Sequence, residues 1–182
     1  MIDEKVICAG FGGQGVMLLG QLMAYAANEK GLNTLWYPSY GPETRGGTAN
    51  CSITISEKPV NSPVISKADT IIVLNKPSLD KFEGKVKPGG RLFINSSLID
   101  AKATRTDIEA FYIPANEIAG KIGNFKVANM VMLGAYLAKT KLFKNDLIIK
   151  LLAKTFGEQK AHLVLLNQEA LTAGRDYFNK NY

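Results

Sequence analysis

The feature that most constrains the fold is an apolar segment that leads into a glycine cluster and then into an amphipathic segment. Residues 6–9 predict a short buried strand, and apolar side chains at helical spacing predict a helix over residues 14–30. Gly31 follows where a helix C-terminal glycine is expected. A strand, a glycine turn and a helix in this order indicate the start of a βαβ unit.

The remaining pattern places strands early in the chain and helices late. Strands are predicted at residues 34–37, ended by Pro38, and at 51–55, 70–74 and 110–113, with a further strand after the turn "KPGG". A short helix is predicted from Pro77 or Ser78, and longer ones at 127–141, 145–156 and 161–179. This order predicts one domain, 1–182, that is a three-layer α/β/α structure with a largely parallel central sheet and a helical C-terminal part.

Composition excludes several classes of protein. The chain has 182 residues, 46% of them hydrophobic, and no apolar run long enough for a membrane helix, so we expect a folded protein without a membrane partner. The first residues are acidic and lead straight into a strand, which predicts no signal peptide and a cytoplasmic location. The net charge of +6 comes from scattered lysines, so no nucleic-acid partner is predicted.

Two cysteines and one histidine offer little metal or redox chemistry. Cys8 and Cys51 each lie in a strand-like segment and are predicted to be buried thiols. His162 has no cysteine or histidine neighbour at ligand spacing, so we predict no metal site.

The glycine cluster is a candidate anion-binding loop. Gly10, Gly12 and Gly15 have the spacing G-x-G-x-x-G, with Gly13 and Gln14 between them. A helix that begins at such a loop offers unpaired N–H groups to a phosphate. A dinucleotide site also needs an acidic residue about 20 residues later, and the next strand ends in "LWYPSYG", which argues against NAD or S-adenosylmethionine. An alternative is that the glycines only let the helix pack closely on the strand.

A second polar loop is predicted at residues 38–50, "PSYGPETRGGTAN". In a parallel sheet it would leave the same edge as the glycine loop, so both would face one crevice. Arg45 suits a carboxylate or phosphate held by two bonds, or alternatively a salt bridge to Glu43. No partner completes a catalytic set, so no catalytic residue is predicted. The candidate binding residues of this loop are Ser39, Tyr40, Gly41, Pro42, Glu43, Arg45, Gly46 and Gly47.

Three segments together resemble a known family. "GFGGQGVMLLGQLMAYAA", "PSYGPETRGGTANCSI" and "LNKPSLDKFEGKVKPGG", the last followed by "INSSLI", are similar to the gamma subunit of 2-oxoacid:ferredoxin oxidoreductases. The resemblance runs in order through residues 7–99. Within the family the chain looks most like the 2-oxoglutarate type, with the branched-chain 2-oxoacid and pyruvate types as alternatives.

The resemblance implies a role within an enzyme complex. Such complexes cleave a 2-oxoacid on thiamine diphosphate, transfer the acyl group to coenzyme A and pass electrons through iron–sulfur clusters to ferredoxin. This chain lacks the "GDG" motif, and its two cysteines are too few for a four-thiolate cluster. Alpha and beta subunits, with or without a delta subunit, would therefore carry thiamine diphosphate, magnesium and the clusters, and the isolated chain would be inactive.

The resemblance leaves the role of the two loops open. Both could contact coenzyme A or a partner subunit. A free-standing enzyme that uses NAD or S-adenosylmethionine, and a non-catalytic assembly scaffold, remain the alternatives of other classes.

Overall fold

A computed structural model describes residues 1–41 and 47–182. Within that part of the chain, six strands form one sheet in the order β2-β3-β1-β4-β5-β6. The strands are β1 (Asp3–Phe11), β2 (Asn33–Tyr40), β3 (Thr48–Ser56), β4 (Ala68–Val73), β5 (Val86–Asn95) and β6 (Glu109–Ile113). The helices are α1 (Val16–Glu29), α2 (Lys76–Phe82), α3 (Ala115–Ile122), α4 (Ala128–Thr140), α5 (Asn145–Phe156) and α6 (Ala161–Asn181).

The sheet is mixed, with β3 as its one reversed strand in the described part of the chain. β1, β4, β5 and β6 pair in parallel, whereas β3 is antiparallel to both β1 and β2. The carboxyl ends of all the strands except β3 therefore lie at the same end of the sheet, which we call the carboxyl edge. The predicted α/β class with a largely parallel sheet is confirmed, and the insertion of β3 between β1 and β2 is the departure from it.

The sequence predicted that β2 ends at Pro38, but this prediction is wrong. The strand continues to Tyr40 and keeps its register with β3 through the pair Pro38–Cys51. Proline is tolerated there because β2 lies at the edge of the sheet, where a missing N–H on the open side costs no ladder bond. Both ends of the predicted loop at residues 38–50 are therefore strand, since residues 38–40 belong to β2 and residues 48–50 to β3.

The two faces of the sheet are covered unequally. Helices α1, α3, α4, α5 and α6 pack on one face, over a core that contains both buried cysteines, Cys8 and Cys51. The other face is covered by α2 and by residues from the irregular segments 57–67 and 96–108, such as Ile65 and Ile99. The predicted helical C-terminal part thus supplies most of one layer.

Helices α4 and α6 cross at a pair of glycines. A Cβ on Gly134 would lie within 3.0 Å of backbone atoms of Leu171 and Arg175, and one on Gly174 would lie within 2.9 Å of backbone atoms of Val131. Contacts that close are not made by real Cβ atoms. The two helix backbones therefore touch here, and only glycine permits that approach.

A buried polar cluster joins α4 to the opposite, amino end of the sheet. The Glu4 carboxylate accepts hydrogen bonds from Arg91 Nη2 at 2.7 and 2.8 Å, from Thr70 Oγ1 at 2.8 Å and from the Tyr136 hydroxyl at 3.3 Å. Burial raises the pKa of Glu4 despite the opposing effect of Arg91, and burial raises the pKa of Tyr136 further. The cluster fixes α4 on the sheet far from the glycine loop.

The open edge of β6 is met by a tyrosine. The Tyr182 hydroxyl accepts a hydrogen bond from Tyr112 N at 2.9 Å and donates to Tyr112 O at 3.4 Å. These bonds satisfy two backbone groups that an edge strand otherwise leaves unpaired.

Candidate binding site at the carboxyl edge

The structure brings the ends of the two sequence-predicted loops together. Gly12 N donates to Gly47 O at 3.1 Å, and Phe11 pairs with Thr48 as β1 meets β3. Gly41 N donates to Thr48 O at 2.8 Å and so closes the β2–β3 hairpin. Ser39 and Tyr40 belong to the exposed end of β2. Pro42, Glu43, Arg45 and Gly46 lie outside the described residues, so their predicted roles stay predictions.

The side chain of Gln14 lies next to Gly10 at the end of β1. Gln14 Oε1 accepts a hydrogen bond from Phe11 N at 2.7 Å, and its Nε2 donates to Leu74 O at 3.4 Å. A Cβ on Gly10 would lie 2.6 Å from Gln14 Oε1. The glutamine side chain therefore folds over the end of β1 and links it to Leu74, the residue after β4, in a space that a Cβ on Gly10 would crowd.

Both backbone conformation and packing favour glycine at position 15. Its φ of 74° lies in the left-handed region, and a Cβ there would overlap the Asn129 amide, whose Cγ would be 2.8 Å away. Asn129 Nδ2 donates to Gly15 O at 3.2 Å and so attaches α4 to the start of α1. Both glycines thus lie at close contacts, and the predicted ligand role of Gly10 and Gly15 stays a prediction.

The helix that follows the glycines begins with N–H groups that no side chain of the described residues caps. Within the described residues, no side chain caps the N-terminus of α1, so its first-turn N–H groups point out of the carboxyl edge unpaired by a cap. Gly13 precedes it with a φ of 92° and an open position, since a Cβ there would meet nothing within 4 Å. Backbone rather than side chain is therefore exposed at the tip of the loop.

A small crevice lies between this loop and the start of α4. We call it the carboxyl-edge crevice; its volume is about 160 Å³. It lies where α1 covers one face of the sheet and α2 the other, the position at which open α/β sheets bind ligands. Its lining residues are Gly13, Gln14, Leu74, Asn95, Asn116, Phe125, Lys126 and Ala128.

Two asparagines form the floor of the crevice. Asn95 is 1% exposed and donates from Nδ2 to Asn116 Oδ1 at 2.8 Å. Its own Oδ1 accepts from Ala115 N at 3.2 Å, which fixes the start of α3. Because Asn116 Oδ1 is already an acceptor, the donor end of this amide is what remains for a ligand.

An exposed aromatic side chain and a lysine form the mouth of the crevice. Phe125 is 67% exposed, and one side of its ring lies on Gly120 of α3, where a Cβ would be 2.8 Å from Cε1. The turn is held by Asn124, whose Oδ1 accepts from Lys126 N at 3.0 Å. In the described part of the chain Lys126 makes no ion pair.

The electrostatics of the crevice favour an anion. Helices α1, α3 and α4 all begin beside it, and helix N-termini carry positive potential. Among the described residues, its lining contains a lysine and three side-chain amides but no carboxylate. The same described lining holds no pair of nucleophile and base, so the arrangement suits binding rather than covalent catalysis.

Sequence reasoning missed four of these residues, namely Asn95, Asn116, Phe125 and Lys126. A signal was available for one of them, because Asn95 directly follows the apolar run of β5, at the end of the sheet where ligands bind. The other three reach the crevice only through the packing of α3 and α4.

A larger depression, of about 710 Å³, lies elsewhere, between the C-terminal parts of α1 and α5. Tyr25, Glu29 and Lys154 are among its lining residues. It is wide and remote from both loops, and we attach no chemistry to it. Within the described residues no His, Cys, Asp and Glu side chains group to hold a metal ion, and no helix is long and apolar enough to cross a bilayer.

Comparison with known proteins places the chain among oxidoreductase subunits. Residues 5–177 match the family model of pyruvate ferredoxin/flavodoxin oxidoreductase. The ketoisovalerate oxidoreductase subunit VorA of Methanothermobacter marburgensis is 37% identical over 179 residues, which cover 98% of this chain and 37% of VorA. The 2-oxoglutarate synthase subunit KorC of Methanocaldococcus jannaschii is 32% identical over 149 residues, 79% of this chain and 78% of KorC.

Solved structures share the fold. The gamma subunit of a keto/oxoacid ferredoxin oxidoreductase from Geobacter sulfurreducens has a TM-score of 0.82 at 28% identity, covering 97% of this chain and 99% of that one. The 2-oxoglutarate:ferredoxin oxidoreductase of Magnetococcus marinus, with 2-oxoglutarate, coenzyme A and succinyl-CoA bound, has a TM-score of 0.91 at 22% identity. It covers all of this chain, which spans 32% of that protein.

These comparisons bear on the predicted subtype. The chain spans little more than a third of VorA, at 37%, and most of KorC, at 78%. VorA has the higher identity over more of this chain, so the predicted likeness to the 2-oxoglutarate type in particular is not confirmed, whereas the broader resemblance is.

Proposed function

Because this chain belongs to the pyruvate ferredoxin/flavodoxin oxidoreductase family, we propose that it is the gamma subunit of a coenzyme-A-dependent 2-oxoacid:ferredoxin oxidoreductase. The observation that carries the proposal is the family match over residues 5–177, nearly the whole fold, together with the likeness to a solved gamma subunit. In relatives such as VorA the equivalent region is part of a longer chain.

The proposed reaction divides the chemistry among subunits. The complex oxidatively decarboxylates a 2-oxoacid, forms an acyl-coenzyme A and delivers the electrons to ferredoxin. Alpha and beta subunits, with or without a delta subunit, hold thiamine diphosphate, magnesium and the iron–sulfur clusters. This chain has two cysteines, both buried and paired in register across β1 and β3, which suits no cluster.

Two 2-oxoacid classes remain in competition. The loop motifs favour 2-oxoglutarate, which would give succinyl-coenzyme A, and KorC supports this substrate. The higher identity to VorA favours a branched-chain 2-oxoacid such as ketoisovalerate. Pyruvate is the third candidate.

The carboxyl edge is the proposed contribution of this chain. Coenzyme A is rich in phosphate, and the free N–H groups of α1, the asparagines and Lys126 suit an anionic ligand there. Gly12, Gly13 and Gly47 would lie against coenzyme A or a partner subunit. For Arg45, a replacement by alanine is expected to raise the KM for coenzyme A or to weaken assembly, because a guanidinium holds phosphate or carboxylate through two bonds.

The test is an anaerobic purification of the chain from its native host, followed by an assay with an electron-accepting dye. We expect larger subunits to co-purify and dye reduction to require coenzyme A and one of 2-oxoglutarate, ketoisovalerate or pyruvate. Parallel assays with the three acids at equal concentration decide the substrate from kcat/KM. A chain that purifies alone, without 2-oxoacid-dependent dye reduction, contradicts the proposal.

The alternative classes make different predictions. A free-standing nucleotide enzyme would bind NAD or S-adenosylmethionine tightly, which calorimetry on the purified chain measures directly. An assembly scaffold would bind no coenzyme A either alone or in the complex, and Arg45→Ala would then change assembly without changing the KM for coenzyme A.

A further inference from the structure

We infer that Phe125 and Lys126 hold the phosphorylated adenosine end of coenzyme A at the mouth of the carboxyl-edge crevice. This inference rests on the proposed function and names the part of the ligand that this chain recognises. Phe125 lies against the adenine ring, and Lys126 pairs with a phosphate.

The position of Phe125 is the first step of the argument. A phenylalanine that is 67% exposed leaves apolar surface in water, and this one lies beside a polar crevice. The ring lies beside Gly120, where a Cβ would be 2.8 Å from Cε1, while most of the residue stays exposed. An exposed aromatic ring is the kind of platform on which bases stack in single-strand binding proteins.

The charge next to the ring is the second step. Lys126 follows Phe125 directly and lines the same crevice, while within the described residues no carboxylate pairs with it. The nearest ion pair on α3, between Lys121 and Glu117, is exposed and absent from the lining of the crevice. A lysine in a cavity whose described lining holds no carboxylate, next to an exposed aromatic ring, suits a phosphate attached to a base.

The volume of the crevice limits how much of the ligand it takes. Sites for small molecules usually measure about 300–1,000 Å³. The crevice, at about 160 Å³, is below that range and fits only one section of a ligand as long as coenzyme A. The pantetheine arm therefore lies outside the crevice, and we expect tight binding to need contacts from the assembled complex.

The test compares whole and truncated thiol substrates in the assembled complex. We expect Lys126→Gln and Phe125→Leu each to raise the KM for coenzyme A about tenfold, since each removes one strong contact. The KM for pantetheine, which has neither adenine nor the diphosphate, is expected to stay unchanged. Where turnover of pantetheine is too slow, calorimetric binding of both thiols to the resting complex gives the same comparison.

Dephospho-coenzyme A identifies the phosphate. If the effect of Lys126→Gln disappears with this substrate, Lys126 contacts the 3′-phosphate. If the effect persists, Lys126 contacts the diphosphate. Either result supports the inference.

Lys121→Gln is the matched control, since it removes a lysine of the same surface that does not line the crevice, and it should change no KM for a thiol. An unchanged KM for coenzyme A in both crevice variants, or an equal rise with pantetheine, overturns the inference. A wild-type complex without any coenzyme-A-dependent activity is a different result, because it refutes the proposed function itself. Both side chains are exposed, so thermal unfolding should confirm that the variants fold.

Discussion

Replacing Gly174 by alanine tests whether the contact between α4 and α6 is as close as the structure shows. The new Cβ would meet the Val131 O, C and Cα atoms, all within 2.9 Å, whereas ordinary contacts begin at 3.4 Å. These are backbone atoms, so Val131 cannot relieve the contact by changing its side-chain rotamer. The helices must therefore separate by at least about 0.5 Å, and by more at the carbonyl oxygen, in an interior packed at crystal-like density.

The expected loss of stability follows from two opposing terms. Overpacking a core costs about 1–3 kcal/mol, and contact with rigid backbone places this site near the upper end. Alanine recovers about 1 kcal/mol of helix propensity relative to glycine. The net loss is therefore about 2 kcal/mol, which for a domain of this size lowers Tm by roughly 4–8 °C.

Urea and thermal unfolding of the purified chain measure this loss. Gly84→Ala is the matched control, because a Cβ at Gly84 would meet nothing within 4 Å and its φ is not in the left-handed region. The control should be neutral or slightly stabilising. If Gly174→Ala is as stable as Gly84→Ala, the close crossing is refuted.

The double variant Gly134→Ala/Gly174→Ala provides a second check on the same reasoning. One separation of the helices relieves both clashes, so the combined loss should be smaller than the sum of the two single losses. Losses that add in full would show that each site yields locally, without movement of α4 relative to α6.

Three further outcomes are expected. Gly15→Ala should lower stability by about 1–3 kcal/mol, from strain at positive φ and overlap with Asn129, and a urea midpoint at or above wild type would contradict this. Burial raises the pKa of Glu4 above its ordinary 4.5, so the folded chain binds the carboxyl proton more tightly than the unfolded chain does. Protonation of Glu4 therefore stabilises the fold fully below pH 4.5, and this stabilisation declines as pH rises. In urea titrations, the free energy of unfolding of wild type minus that of Glu4→Gln should therefore fall from pH 4.5 to 7. A difference that rises over this range would refute the sign. Tyr182→Phe should lower stability by about 0.5–1.5 kcal/mol, because it removes both hydrogen bonds to the β6 edge at Tyr112, and unchanged thermal unfolding would show that the bonds contribute nothing.

The local signals of this sequence predict its elements well. Helix α5 spans the predicted residues 145–156, because a clear periodicity ends at Gly157. Asn75 accepts from Ser78 N at the start of α2, close to the predicted helix start beside Pro77. Such features depend only on neighbours in the chain.

Features that depend on distant neighbours could not be predicted in the same way. Pro38 was taken to end a strand, because the sequence does not say that β2 would lie at the edge of the sheet. The insertion of β3 beside β1 is equally invisible, since a βαβ pattern favours direct parallel pairing. Lys126 lies beside the glycine loop because Asn129 of α4 donates a hydrogen bond to Gly15 O, and these two residues are more than 100 positions apart in the chain.

The polar cluster at Glu4 and the carboxyl-edge crevice lie at opposite ends of the same strands. From Glu4 to Phe11, β1 advances seven residues, which at about 3.3 Å per residue is about 23 Å. Surface charges are screened over about 8 Å at physiological ionic strength, so a charge change at one end is scarcely sensed at the other. Adaptation to a hotter or more acidic habitat can therefore rework the Glu4 end of the sheet while ligand recognition at the other end evolves under separate selection.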